Sequence, residues 1–465
     1  MKLHKTIYIA ATLACAAMLA GCSGVRGCKA PQLNLPQAIA SGANTDSVTI
    51  ADMEWWKFYG DSALCRIIGR TLGNNRNLMA AAARVEQARQ AYRVDKANRL
   101  PSVGASILAD HETNDYYGES LKKDPEFDFK ASLNWEIDLW GKFRWAKRKG
   151  EAMWRASVED ERAMRMTLIA EAATAYFTLV ALDSELAIVR RTLVNRQEGV
   201  EKARLRFEGG LTSELVYQQA QVEYATTATL VPNLESRIKV TENALALLMG
   251  EYPDELIQRA RTDEEMRQTE HLPIGLPSQL LTRRPDLRAA SENLRASMAA
   301  VGVAYADRFP RLTFNLQGGW ENDELAGFFK SPFSYIAGNL AGPVLDFGRK
   351  QGKYREAIAA YEQSRLGYEQ KVLEAFKEVD DAVITYRKLR QATSLKIHSR
   401  NAAKKYVDLA QKQYRAGSIN YIEVLDAQRR YLDAQLGLTN AIRDENIALV
   451  RLYKALGGGW QHNNP

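Results

Sequence analysis

Apolar and polar residues alternate strictly along one stretch of the chain. From Phe127, apolar side chains fall at Phe129, Ala131, Leu133, Trp135, Ile137 and Leu139, with Asp128, Lys130, Ser132, Asn134, Glu136 and Asp138 between them. Period two predicts a strand with one apolar and one polar face. Leu312, Phe314, Leu316, Gly318 and Trp320 alternate in the same way with Thr313, Asn315, Gln317, Gly319 and Glu321. Both runs exceed the usual strand and suit a tilted membrane strand. Looser alternation at about 101–113 and 333–346 completes two hairpins, with polar loops near Glu112–Pro125 and Glu321–Ser331. Trp135, Trp140 and Trp320 lie on or at the ends of the apolar face, as interfacial aromatics do.

Elsewhere the period changes to that of helices. Leu168, Ala172, Ala175, Leu179, Leu182, Leu186, Val189 and Leu193 recur in steps of four and three, and so do Val372, Phe376, Val379, Val383 and Tyr386. This is coiled-coil spacing, which a soluble helical bundle would also show. The helices after each hairpin should run from about Lys142 to Phe207 and from about Arg349 to Tyr414, roughly 100 Å each at 1.5 Å per residue. Return helices at about Thr212–Met249 and Ile419–Leu456 fall some 40 Å short. Helices at about Ser62–Asn98 and Pro277–Asp307, stacked on them end to end, would make up the difference.

The two halves repeat. Asn77-Leu78 through Arg99-Leu100-Pro101-Ser102-Val103 matches Asp286-Leu287 through Arg308-Phe309-Pro310-Arg311-Leu312. Phe207-Glu208-Gly209-Gly210 with Leu215, Ala220-Gln221 and Tyr224 matches Tyr414-Arg415-Ala416-Gly417 with Ile422, Ala427-Gln428 and Tyr431, at nearly the same offset. Each half reads helix, strand, loop, strand, very long helix, glycine turn, helix. Four strands are too few to close a membrane barrel, and a lone sheet would leave two unpaired edges in lipid. The expected fold is therefore mainly α with a membrane β-barrel shared between copies, each copy adding four transmembrane strands. Asp128, Glu136 and Asp138 would then face a wet lumen.

The N-terminus adds an address. Lys2 and Lys5 precede an apolar run from Ile7 to Leu19, too short for a resident membrane helix but right for a secretory signal. It ends in Leu19-Ala20-Gly21-Cys22-Ser23, which resembles a bacterial lipobox. Residues 1–21 are expected to be removed and Cys22 to carry acyl chains, palmitate among them, several chains giving stable anchoring. Serine after the cysteine points to the outer membrane by resemblance, because the inner-membrane retention signal is an aspartate there. Cys28 and Cys65 lack metal-type spacing and are expected to stay unpaired. After the signal, no apolar run approaches 18 residues.

The chain has 465 residues, 46% of them apolar, 26% charged, and a net charge of +7. The charge is small for the length and spread out, so it makes no case for nucleic acid. The five histidines, His4, His111, His271, His398 and His462, show no paired ligand spacing, and no glycine-rich phosphate loop follows a strand. No catalytic residue, metal site or cofactor is expected beyond the lipid on Cys22.

Taken together, these elements resemble the TolC-like outer membrane factor family, in the lipoprotein branch that serves RND-type tripartite efflux pumps. The resemblance rests on the lipobox, on Trp55-Trp56-Lys57-Phe58-Tyr59-Gly60-Asp61, on Trp135-Glu136-Ile137-Asp138-Leu139-Trp140-Gly141-Lys142, and on Arg283-Arg284-Pro285-Asp286-Leu287. It continues through Gly342-Pro343-Val344-Leu345-Asp346-Phe347-Gly348-Arg349, Tyr414-Arg415-Ala416-Gly417 with Val424-Leu425-Asp426-Ala427-Gln428-Arg429, and Tyr453-Lys454-Ala455-Leu456-Gly457-Gly458-Gly459-Trp460. It covers essentially the mature chain.

The resemblance implies a homotrimer with a twelve-stranded barrel in the outer membrane and a helical tunnel through the periplasm. It implies a tether and equatorial segment over 22–61, repeats over 62–249 and 277–456, a second equatorial segment over 250–276, and a tail from 457. It also implies two partners, a periplasmic adaptor hairpin at the tip and, through it, an inner membrane transporter. Acidic residues matching Glu423 and Asp426 narrow the tunnel in the family. Glu423 and Asp426 share a helical face, and three-fold symmetry would make each a ring of charge. Ile422 could add an apolar ring, and Arg429 an ion pair to a neighbouring helix that holds the closed state. Gly209, Gly210 and Leu211 in the first turn and Gly417, Ser418 and Ile419 in the second would form the docking rim. Two alternatives stay open: the exit duct of a type I protein secretion system, and a lipoprotein that tethers the envelope without a pore.

Overall fold

The structure, a computed structural model, describes residues 28–36, 49–114, 117, 122–253, 257, 259, 273 and 277–460. The signal segment, Cys22 and Ser23, His271 and most of 250–276 lie outside the described residues.

The elements run α1 (Trp55–Tyr59), α2 (Ser62–Asn74), α3 (Arg76–Ala97), β1 (Ser102–Asn114), β2 (Lys122–Ile137), α4 (Lys142–Glu208), α5 (Glu214–Ala228) and α6 (Leu230–Leu248). The second repeat gives α7 (Leu280–Arg283), α8 (Pro285–Ala306), β3 (Arg311–Asn322), β4 (Pro332–Ala341), α9 (Arg349–Arg415) and α10 (Tyr421–Ala455). The helices α4 and α9 are 67 residues each, about 100 Å at 1.5 Å per residue.

Three expected helices are interrupted, each for a local reason. Asn75 (φ −63°, ψ 121°) separates α2 from α3, and its Oδ1 accepts from Asn77 N and Leu78 N, capping α3. At the matching place in the second repeat, Arg284 (φ −78°, ψ 116°) precedes Pro285, which opens α8 at the position where proline is tolerated. The first return helix breaks at Thr229, because Pro232 has no N–H for the Ala228 carbonyl and its ring clashes there. The second repeat has Thr439 at the equivalent place, and α10 is unbroken.

The chain forms two compact units, and neither coincides with a repeat. One takes residues 83–158 and 289–370 with the start of the tether; the other takes 34–82, 159–288 and 371–465. The described residues of the 22–61 segment fall in both units, 28–33 in the first and 34–36 with 49–61 in the second. In the first unit, Lys29 O accepts from Tyr361 Oη (2.7 Å) and Gln32 N donates to Glu369 Oε1 (2.8 Å), which lays the tether along α9.

The first unit holds one antiparallel sheet in the order β1-β2-β3-β4. Register aligns Ile107 with Phe129, Phe129 with Trp320, Leu133 with Leu316, and Leu316 with Ile336. All four apolar stripes therefore fall on one face. Ile107 is 80% and Ile336 69% exposed, so no described residue covers that face there. The polar face carries Asp128, paired with Lys130. β1 and β4 are open edges.

Asp138, expected in the lumen, lies one residue beyond β2. Its carboxylate accepts from Phe143 N (3.0 Å) and Arg144 N (2.9 Å), so it caps α4. Asp346 caps α9 in the same way, through Gly348 N and Lys350 N, and those two bonds hold its carboxyl below the usual range. Gly141 (φ 81°) and Gly348 (φ 84°) make the strand-to-helix corners.

The second unit is built on a core that includes Trp55, Phe58, Leu64, Tyr176, Leu179, Val379 and Tyr453. One window of α4 is apolar enough, by length and composition, to cross a membrane, contrary to the expectation that no such run follows the signal. Half of that window is buried within the protein, where Tyr176, Phe177 and Val180 add to the heptad residues. Several of the family-like motifs sit here too. Phe58 stacks on Tyr453 at 4.3 Å, and Asp61 caps α2 while accepting Tyr176 Oη at 2.6 Å. Arg284 is buried, donates to Asp286 (3.1 and 2.9 Å), Glu378 (2.7 Å) and Ala455 O (3.2 Å), and so ties α8, α9 and α10 together. Trp460 Nε1 donates to Arg283 O (2.8 Å).

Candidate gate and docking tip

The second unit carries two helical turns built alike. In the first, Leu211 N donates to Arg206 O (2.8 Å) and Gly210 N to Phe207 O (2.9 Å), with Gly210 at φ 70°. In the second, Ser418 N donates to Gln413 O (3.0 Å) and Gly417 N to Tyr414 O (3.0 Å), with Gly417 at φ 72°. Both are glycine-ended caps that close a helix on its last carbonyls. Their surfaces differ. The first exposes Gly209, Gly210, Leu211 and Leu215, with Leu211 at 73%. The second tucks Ile419 against a small core of Val407, Ala410, Val424 and Ala427. The apolar rim available to a partner is thus concentrated on the first turn.

α10 starts beyond the second turn. Val424, Leu425 and Ala427 are buried, which leaves Ile422, Glu423, Asp426, Arg429 and Arg430 on the outward face. Asp426 accepts from Arg429 Nη2 (2.6 Å) and from Arg430 Nε (2.7 Å). Hydrogen bonds from Arg430 and then Arg429 hold its carboxyl below the usual range. Arg429 was expected to reach a neighbouring helix. Within the chain it pairs with Asp426, three positions away on the same helix. Arg430 joins the cluster as well, its spacing of four from Asp426 being an ordinary helical ion-pair signal.

Three further contacts brace this region and carry no sequence motif. Arg206 Nη1 donates to Tyr414 Oη (2.8 Å), joining the ends of α4 and α9. Arg196 is 6% exposed, pairs with Glu223 at 2.8 Å and also donates to Thr227 Oγ1. Burial pulls its guanidinium pKa down against the pull of Glu223. Tyr421 fits against Gly199, where an added Cβ would come within 3.0 Å of its hydroxyl. Arg196, Arg206, Tyr414 and Tyr421 line a groove of about 1000 Å³ between α4, α9 and α10.

The profile described as "Outer membrane efflux protein" matches residues 67–251 and 276–458, one stretch for each repeat. The chain belongs to this family. The "Solvent efflux pump outer membrane protein SrpC" of Pseudomonas putida is 31% identical over 95% of this chain and 96% of its own length. The "Probable outer membrane lipoprotein SilC" of Salmonella typhimurium is 29% identical over 95% and 97%. Among solved structures, the outer-membrane channel OprN superposes with a TM-score of 0.86 at 28% identity, covering 94% of this chain and all of that one. The protein is an outer membrane channel of an efflux system, and the open-edged sheet is its share of a barrel made by several copies. Such channels work with an adaptor and an inner membrane transporter, and the family is one of transport channels.

Proposed function

We propose that three copies form a lipid-anchored exit duct, gated at its helical tip, which passes small molecules received from an RND-type transporter through a periplasmic adaptor. The observation that carries this reading is the sheet. One face is apolar and uncovered, and both edges are open. A four-stranded antiparallel sheet ends on strands of opposite direction, so β4 of one copy can pair antiparallel with β1 of the next and continue around a closed wall. Cys22 holds the acyl chains. The lumen narrows at rings of Ile422, Glu423 and Asp426, with Arg429 and Arg430 setting the local charge. The apolar first turn around Leu211 seats the adaptor hairpin.

Relatives of near-equal identity are named for solvent efflux, cation efflux and pyoverdine export, cargoes with little chemistry in common. A duct of this fold therefore leaves cargo choice to the transporter. Native mass measurement of the detergent-released protein should read three copies, and planar bilayers should show channels whose conductance rises when Glu423 and Asp426 become alanine. A monomer in the first, or unchanged conductance in the second, would defeat the trimer and the gate respectively.

A further inference from the structure

The loop between β3 and β4 holds large apolar side chains outward. Its 3-10 turn, Leu325–Lys330, contains no buried residue, with Leu325 69% and Phe329 74% exposed. The loop is nonetheless tightly built. Asn322 Nδ2 donates to Gly327 O (2.9 Å) and Ser331 Oγ (3.0 Å), while its Oδ1 accepts from Glu324 N (2.9 Å). Gly327 packs close to this clamp, a Cβ there lying 2.8 Å from Asn322 Nδ2. Glu321 N closes the base on Ser331 O (3.2 Å).

This clamp gives the aromatics a direction. Phe329 meets Trp320 edge-on at 5.7 Å, and Trp320 stacks on Phe129 at 6.0 Å. Trp320 and Phe129 belong to the apolar face, the face that meets lipid in a barrel with a polar lumen. Phe328 packs edge-on against Phe329 at 5.0 Å. The loop thus continues the lipid face beyond the strand ends, at the end of the sheet away from the helices.

We propose that Leu325–Lys330 is a membrane paddle. Asn322 clamps it so that Phe329 and Leu325 enter the acyl–headgroup boundary of the outer leaflet beside Trp320. Aromatic side chains with an apolar body are stable at that depth, and in water the same clamp would only hold them exposed.

The test is collisional accessibility of a nitroxide on Phe329→Cys. The full-length lipidated protein, with Cys28→Ser and Cys65→Ser, is reconstituted in phosphatidylcholine–phosphatidylethanolamine vesicles. Labels at Ile336→Cys and Ser132→Cys provide lipid-facing and lumen-facing references. The expected result is oxygen accessibility several-fold above that of a water-soluble nickel chelate, as at Ile336. Preference for the nickel chelate, as at Ser132, overturns the proposal. Low accessibility to both also overturns it, since protein would then cover the loop. Asn322→Ala should abolish the oxygen preference at 329, and a preference that survives it overturns the clamp.

Discussion

The charge arrangement at the start of α10 makes a specific statement about ion selectivity. Glu423 and Asp426 are opposed by Arg429 and Arg430, so these four side chains are neutral together, and a ring of copies is neutral too. Asp426 alone engages both guanidiniums, at 2.6 and 2.7 Å. Asp426→Ala frees both and leaves one excess positive charge per copy at the proposed constriction. The variant should therefore turn toward anions, whereas losing an acidic ring with no basic partners would merely weaken cation preference. Arg429→Ala should shift selectivity the opposite way, and the double variant should return close to the parent. The assay is the reversal potential across a planar bilayer under a potassium chloride gradient. Near 0.1 M the screening length is about 10 Å, enough for the ring to act across a narrow lumen, and near 1 M it is about 3 Å, so every shift should collapse. The acid response has a definite sign. Asp426 titrates below its ordinary value, so its charge is present above the ordinary carboxylate range and is lost only as pH falls through the lower folded value. On acidification the Asp426-dependent part of the selectivity should therefore persist to lower pH than an ordinary aspartate would allow. If Asp426→Ala and the parent share one reversal potential at low salt, these residues do not line the conducting path.

Other consequences concern the framework. Arg284→Met should destabilise the folded protein by about 3–5 kcal/mol, because Asp286 and the Ala455 carbonyl lose a buried charged partner; the thermal midpoint reads this, and Asp286→Leu added to it should recover part of the loss. Burial raises the Asp286 carboxyl and the Arg284 bonds lower it further, for a net depression, so its contribution is held above the ordinary carboxylate range and lost as pH falls through the folded value. Acid-melting curves should accordingly be flatter in Asp286→Asn. Gly458→Ala places a Cβ 2.5 Å from the buried Tyr453 ring, which is pinned by Phe58 and by Met53 O, and should cost about 1–3 kcal/mol in thermal unfolding. Asp138→Asn should lower stability by no more than about 1 kcal/mol with conductance unchanged, as befits a carboxylate engaged in a helix cap; a conductance change would place it on the lumen wall.

Much of the architecture was readable because periodicity is a local property. Two-residue alternation located β2 and β3, three-and-four spacing located the long helices, and the repeat located each turn by reference to its twin. Breaks inside helices were harder to read. Asn75 and Pro232 act through one or two backbone hydrogen bonds, which do not disturb the hydrophobic pattern around them. Asp138 continued the alternation of β2, yet its carboxylate reaches forward to the α4 backbone, and only the chain direction after Ile137 reveals that. At the tip, Glu423 and Asp426 were readable as one helical face from their spacing, whereas Arg206 with Tyr414 and Arg196 with Glu223 join residues far apart in sequence.

By itself the sequence determined the class of each element, the two-fold repeat, and the need for more than one copy, since four strands with an apolar face cannot end in lipid. The tertiary structure decided how those pieces share surfaces. Register merged four separate stripes into one apolar face, and the compact units drew on both repeats rather than following them. It also decided which polar partner each arginine meets. Periodicity reports which side of an element seeks burial; the partner on that side depends on where distant elements come to rest.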